Sequence, residues 1–264
     1  MNASDIERAA TIIADGRLEH ERLGPLANEI APENEDDAYR LQAAVSERLS
    51  AGGYGEPAGR KIGCTTPVMQ EFLQIPNPCA GFVYAPTVRE GEGEFDHSSF
   101  LHVGVECEIV VRLGAGLPPR PLPYDRSAVE PAVQAVMSGI EVVDDRWNDY
   151  RSIDVATLIA DDFFGAGCVI GEPVTAWRDL DLATLVGRMS INGREVGSGA
   201  GRDIMGHPLE ALAWLANSAI RHGSPLREGE FVFLGSLVET KWIERGDVVE
   251  IEINGLGRAT ARFV

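Results

Sequence analysis

The clearest alternation of apolar and polar positions lies in Val103-Gly104-Val105-Glu106-Cys107-Glu108-Ile109-Val110-Val111. Val103, Val105, Cys107, Ile109 and Val111 form one face of a β-strand, which sends Glu106 and Glu108 to the other face, about 7 Å apart along the strand. Helical spacing governs the N-terminal part instead. Ser4-Asp5-Ile6-Glu7 has the form of a capping box and predicts a helix to about Gly16. A second helix opens between Asn34 and Asp37, carries the stripe Ala38, Leu41, Val45 and Leu49, and stops at Gly52-Gly53. These helices make an N-terminal layer, residues 1–58, and the Gly- and Pro-rich stretch from Gly52 to Gly59 leads into the remainder, residues 59–264.

From Gly59 onward the pattern is mostly that of strands: Gly59–Gly63, Phe82–Tyr84, residues 102–113, Ile140–Asp144, and segments near 166–171, 187–192, 230–236, 247–253 and 258–263. Gly114 to Pro123, with four prolines, is a loop. Ser127-Ala128-Val129-Glu130 has a second capping-box pattern and predicts a helix to about Met137, and a long helix is expected from Pro208 to Arg221. Helices and strands do not alternate regularly, so the expected fold class is α+β with folded-over antiparallel or mixed sheets rather than a doubly wound parallel sheet.

At 264 residues, 44% of them apolar, the chain has ample material for a core. The formal charge of −18 is spread along the whole length. It argues against nucleic acid or an anionic membrane surface as a partner, and it means that an anionic small-molecule substrate needs a local metal or basic pocket. Cys64, Cys79, Cys107 and Cys168 include no CxxC pair and sit in apolar contexts, so disulfides are not indicated. The N-terminus lacks a basic segment followed by an apolar core, and no run approaches a membrane span; a reducing cytoplasm is the expected location. No phosphate-cradling glycine motif follows a strand, no HExxH spacing links His20, His97, His102, His207 or His222, and no serine sits in a GxSxG turn. His207, before Pro208, is expected to start the long helix.

Two carboxylates on one strand face either meet bulk water or are held by a cation, because buried like charges oppose each other's ionisation. Glu141, inside the apolar run Ile140-Glu141-Val142-Val143, is a third acid that needs a partner. A hard divalent cation is the simplest neutraliser of three carboxylates, and all-oxygen ligation suits Mg²⁺ or Mn²⁺ better than zinc. Lys61, in Arg60-Lys61-Ile62-Gly63, is either a surface charge or, beside a metal and partly desolvated, a carrier of protons.

Taken in order, Arg60-Lys61-Ile62-Gly63-Cys64-Thr65, Val105-Glu106-Cys107-Glu108-Ile109, Gly139-Ile140-Glu141-Val142-Val143-Asp144 and the stretch from Gly206-His207-Pro208 to Asn217 resemble the motifs of the 2-keto-4-pentenoate hydratase family, within the fumarylacetoacetate hydrolase superfamily. The resemblance continues through Gly235-Ser236-Leu237 to the closing strands, so it covers the chain from about residue 35. It implies a β-sandwich roll of mixed sheets with an N-terminal helical cap, and a Mg²⁺- or Mn²⁺-dependent site. The matching metal ligands are Glu106, Glu108 and Glu141, and the matching active-site lysine is Lys61. It further implies a 2-hydroxydienoate or related 2-oxo acid substrate from aromatic catabolism, a metal-stabilised enolate, and a homo-oligomer.

The sequence departs from the family pattern at the site. Hydratases carry an aspartate after the proline of the segment matching Pro78-Cys79-Ala80-Gly81, and a thiol offers neither its charge nor its acceptor geometry. Ala160-Asp161-Asp162-Phe163-Phe164-Gly165 stands where hydratases carry A-D-N and small residues, and Val238 where a threonine often follows Gly-Ser-Leu. Cys79, Asp162, Phe164 and Ser236 are therefore the candidate substrate contacts, with Arg60, Arg146 and Arg202 as candidate carboxylate partners. The leading expectation is a hydratase. Its rivals are a 2-oxo acid decarboxylase, a C–C bond hydrolase and a non-catalytic 2-oxo acid-binding paralogue or partner subunit.

Overall fold

The computed structural model describes residues 1–66, 70, 71 and 75–264. Helices α1 (Ala3–Leu18) and α2 (Glu35–Ala51) pack against each other through Ala9, Ala10, Ile13 and Ala14 on one side and Ala38, Leu41, Val45 and Leu49 on the other. The α1 cap differs from the capping box read in the sequence. Asn2, not Ser4, accepts the Asp5 amide at 3.0 Å, and the helix continues past Gly16 because that glycine lies against Leu23. Asn34 caps α2 and Gly52 closes it, as expected.

Twelve strands form two mixed sheets among the described residues. The larger has the order β2 (Cys79–Tyr84), β1 (Pro57–Gly63), β10 (Phe231–Trp242), β5 (Val103–Leu113), β6 (Val133–Asp144), β7 (Gly165–Ile170), β3 (Val88–Glu90). The smaller has the order β4 (Glu92–Phe95), β12 (Gly257–Phe263), β11 (Val248–Ile253), β8 (Val186–Ile191), β9 (Arg194–Ala200). The α+β architecture of mixed sheets with helices at the N-terminus matches the expected class. No helix among the described residues is long and apolar enough to cross a membrane.

One predicted helix is a strand. Asp125 caps a single turn, α3 (Arg126–Val129), a 3₁₀ turn follows over Glu130–Ala132, and β6 begins at Val133. Pro131 lacks the amide a continuing helix needs, and the backbone of residues 133–137 is taken up by pairing with Leu113 to Val110 of β5. A short helix, α4 (Val155–Ala160), leads into β7, and α5 (Pro208–Arg221) packs on β10. His207 starts α5 as predicted, its Nδ1 accepting the Leu209 amide at 3.1 Å.

The two faces of the larger sheet are different environments. Val105, Cys107, Ile109, Val111, Ile140 and Val142 face the main core with Val249, Ile251, Ile253, Ala259 and Ala261 of the smaller sheet. The opposite face holds a separate apolar cluster of Val83, Val110, Met137, Cys168, Ile170, Phe231 and Phe233. The sheet curls around this second face. The loop before β7 brings that strand to β2, where Phe82 N donates to Asp162 Oδ1 at 3.0 Å. Glycine makes the approach practicable: a Cβ on Gly81 would lie 2.7 Å from the Asp162 carbonyl oxygen.

Candidate active site

Strand register gathers the sequence-predicted residues on that curled inner face. Glu106 pairs directly with Glu141, Glu108 with Gly139, and Lys61 reaches the same face two strands away through Phe233 and Val110. Cys79, opposite Gly63 in the β1–β2 pair, points the same way. The carboxylates of Glu106, Glu108 and Glu141 lie within 4.8 Å of one another; Glu108 and Glu141 are buried and Glu106 half-buried. The strand pattern left water or a cation open: Glu108 and Glu141 are shut off from bulk water, and Glu106 is partly so.

Each carboxylate is aimed by a partner. The Thr240 hydroxyl donates to Glu106 Oε1, and Gly235 N donates to Glu108 Oε2 at 2.9 Å. The second contact depends on an irregularity in β10, whose register with β5 shifts between Phe233 and Ser236. Gly235 has a φ of 122°, and a Cβ there would sit 2.1 Å from Thr65 Oγ1, so only glycine fits. Glu108 Oε1 is buried and accepts no hydrogen bond among the described residues. The Lys61 ammonium pairs with Glu141 Oε1 at 3.1 Å and donates to the Phe163 carbonyl at 2.7 Å.

Burial, together with Glu141 and Glu106, pushes the Glu108 carboxyl well above its ordinary range. Burial also lifts Glu141 to about 7, against the opposing pull of Lys61. For Lys61, burial opposes the charge, but Glu141, Glu106 and Glu108 outweigh it and hold the ammonium above its usual value. One lysine therefore faces three carboxylates, and Glu108 keeps a buried oxygen with no donor among the described residues. Such a set suits a hard divalent cation, which takes oxygen ligands and resists ionisation of none of them.

The loop facing Lys61 is strained. Asp162, Phe163 and Phe164 have φ values of 53°, 48° and 68° in succession, a left-handed run costing about 1 kcal/mol or more per residue. Asp162 holds it in place: Oδ2 accepts Arg17 Nη1 at 2.8 Å and the Tyr84 hydroxyl at 3.2 Å, while Oδ1 accepts Phe82 N. Next to it, Asp161 accepts Arg146 Nε at 3.1 Å and Trp147 Nε1 at 3.2 Å.

The other candidates are placed differently from the expectation. Asp162 spends its carboxylate on this brace, and Ser236 Oγ donates to Val238 O within its own strand. Phe164 packs edge-to-face on Tyr150 at 5.7 Å, and it is the Phe163 ring that lies 5.6 Å from Lys61 Nζ and lines Gly63. Cys79 is a buried free cysteine, and its thiol, hydrogen-bonded to that of Cys64 and desolvated, is pushed well above the ordinary value. Arg60 stacks on Phe82 at 4.3 Å and donates to Ser224 Oγ, Arg146 is held by Asp161, and Arg202 is exposed, so none of the three is joined to the carboxylate cluster by an ion pair. Sequence reasoning missed Arg17, Tyr84, Gly235, Thr240 and the Phe163 carbonyl. Of these, only the glycine in Gly235-Ser236 carried a local signal.

A family model described as fumarylacetoacetate hydrolase C-terminal matches residues 73–264. The chain belongs to the fumarylacetoacetate hydrolase family. Among curated members, the 2-keto-4-pentenoate hydratase of Paraburkholderia xenovorans (strain LB400) is 32% identical over 264 residues, covering 100% of this chain and 96% of the relative. The 2-hydroxyhexa-2,4-dienoate hydratase of Comamonas testosteroni is 31% identical over 243 residues, 91% of this chain and 90% of the relative. Among solved members, 4-oxalocrotonate decarboxylase from Pseudomonas putida G7, complexed with magnesium and adipate, superposes with a TM-score of 0.92 at 27% identity, covering 100% of this chain and 99% of that one.

Proposed function

We propose that this family member is a divalent-metal-dependent lyase that hydrates a small 2-hydroxydienoic acid, in the manner of the hydratases it resembles in aromatic catabolism. The observation that carries the reading is the Glu106–Glu108–Glu141 cluster, its carboxylates within 4.8 Å of one another and two of them buried, facing the single Lys61 ammonium. These three residues would hold Mg²⁺ or Mn²⁺, and the bound cation supplies Lewis acidity at the 2-oxygen and carboxylate of the substrate.

The chain's own residues do the rest. Lys61 keeps a proton at Nζ between Glu141 Oε1 and the Phe163 carbonyl, which supports its role in moving the 2-hydroxyl proton to the distal carbon of the dienol. The product of that shift is an α,β-unsaturated 2-oxo acid, to which water adds with its oxygen on the β-carbon of the enone and a proton on the α-carbon. The Phe163 ring and the apolar cluster around Met137 and Phe233 exclude bulk water from the lysine side. Cys79 presents a neutral thiol on this face and supplies no base.

That last feature favours a second reading. With no carboxylate at the Cys79 position to activate water, the same enolate can form by loss of CO₂ from a dicarboxylic 2-oxo acid, as the full-length likeness to the decarboxylase suggests. Cytoplasmic residence and homo-oligomeric assembly belong to the same proposal, supported by the family likeness. Its partner is the small anionic substrate, which a chain of net charge −18 receives only with the help of the cation and Lys61.

The test is to incubate the protein with Mg²⁺ and 2-hydroxypenta-2,4-dienoate, follow loss of dienol absorbance, and identify the product by NMR. Formation of a 4-hydroxy-2-oxo acid supports hydration. Release of CO₂ from 4-oxalocrotonate without dienoate turnover selects the decarboxylase, and binding without conversion of either acid refutes an enzyme.

A further inference from the structure

Arg17 lies on α1, a helix that contributes nothing to the carboxylate cluster, and yet it is almost fully buried beneath the site. Its guanidinium spans the strained loop. Nη1 donates to Asp162 Oδ2 at 2.8 Å, and Nη2 donates to the Gly165 carbonyl at 3.2 Å, so the arginine grips the residues before and after Phe163 and Phe164. Tyr54 and Tyr84 flank it, with their ring centroids 5.2 and 5.5 Å from its Cζ. A planar fork of donors is suited to such a two-point hold.

What the grip fixes is the Phe163 carbonyl, which accepts from Lys61 Nζ at 2.7 Å on the side away from Glu141 Oε1, 3.1 Å distant. A lysine has four flexible methylene bonds. If the loop relaxes toward ordinary backbone angles, the carbonyl withdraws, and the ammonium is left with Glu141 and its neighbours alone. It then settles among the oxygens that the proposed cation needs.

We propose that Arg17 is a positioning residue: by bracing Asp162 and Gly165 it places the Phe163 carbonyl so that Lys61 is shared between that carbonyl and Glu141 rather than drawn in among all three carboxylates. This rests on the lyase reading for its consequence in turnover, but its positional content does not.

Lys61 and Lys241 are the only two lysines in the sequence, which makes the experiment direct. Protein labelled with ¹⁵N-lysine gives one ζ-nitrogen line from buried Lys61 and one from partly exposed Lys241. In metal-free Arg17→Gln the Lys61 line should shift and exchange faster with water, while the Lys241 line stays. Tyr84→Phe, which removes only one of the donors to Asp162 Oδ2, should move the Lys61 line the same way by less, and it decides the matter if Arg17→Gln does not fold. In Mg²⁺-loaded enzyme, kcat should fall roughly ten- to hundredfold in Arg17→Gln with KM changed less than about threefold, as expected for a misplaced group rather than lost substrate binding. A Lys61 line unmoved in the folded variants overturns the proposal, as does a moved line with unchanged kcat. If the wild type converts no dienoate or 2-oxo acid, the lyase reading fails, and the ζ-nitrogen line alone then judges whether Arg17 holds Lys61.

Discussion

Raising the pH should destabilise the metal-free protein, and the size of the effect follows from Glu141. Its carboxyl is lifted from the ordinary glutamate value of 4.5 to about 7 in the folded chain. Between those values the folded protein keeps a proton that the unfolded chain has released, so stability falls as pH rises. The contribution is fully present below about pH 4.5 and is lost as pH passes 7. A difference of this width corresponds to about 3 kcal/mol, which for a chain of this size is a melting-temperature change of roughly 6–12 °C. Glu108, raised by the same burial and the same neighbours, acts with the same sign. The assay is thermal unfolding of chelator-treated wild type and Glu141→Gln from pH 5 to 8. The variant keeps the side-chain shape but cannot ionise, so the difference between the two curves isolates this group. Mg²⁺ at about a hundredfold excess over its Kd should return about 2.7 kcal/mol to the wild type at pH 8, and much less to the variant. A wild-type-minus-variant difference that is flat or rises between pH 5 and 8 would refute both the buried repulsion and the argument that a cation relieves it.

Lys61→Met should lower kcat by roughly 10²- to 10⁴-fold. The same variant should bind Mg²⁺ at least as tightly in calorimetry, because an ammonium 3.1 Å from Glu141 no longer competes for the site; weaker binding would count against the geometry. Cys79→Ser should leave kcat within about threefold, since a thiol that stays protonated makes no general-base contribution to lose, and a drop beyond tenfold would make Cys79 a proton carrier. Gly235→Ala should cost at least about 1–3 kcal/mol in denaturant unfolding through overpacking against Thr65. It should also weaken Mg²⁺ binding by displacing the amide that aims Glu108, and unchanged affinity would separate that amide from the site.

Much of the architecture follows from local patterns that tertiary packing does not override. The stripe Ala38, Leu41, Val45 and Leu49, bounded by Asn34 and Gly52, specifies α2 because the cap, the period and the stop agree. Where they disagree, the sequence misleads. Ser127 to Met137 has the cap of a helix, but Val133 and Val136 carry β-branched side chains beyond Pro131, and the strand partner in β5 decides the outcome. Strand β9 escaped notice because Arg194–Ala200 ends in four small residues and has no alternation; it is specified by pairing with β8.

The site divides along the same line. Glu106 and Glu108 are legible because strand alternation is a local rule, and the acid in the apolar run at Glu141 is locally anomalous. Their meeting is not local: the direct pairing of Glu106 with Glu141 is set by the register of strands separated by the loop and turn from Gly114 to Ala132. Least legible is the support for Lys61. Asp162 looks like a residue free to meet substrate, and nothing in Asp161-Asp162-Phe163-Phe164 announces three left-handed residues, since none is glycine. That conformation is braced where Arg17, Phe82 and Tyr84, from α1 and β2, converge on one carboxylate and Arg146 donates to the Phe164 and Gly165 carbonyls. The departures from the hydratase pattern at Cys79 and Phe163 therefore have unequal weight. The phenylalanine pair falls in a loop that positions the lysine through its backbone, which any side chain able to hold that backbone could serve. Cys79 places a protonated thiol on the inner face itself, which is why the proposed choice between adding water and losing CO₂ is tested there rather than at the aromatic residues.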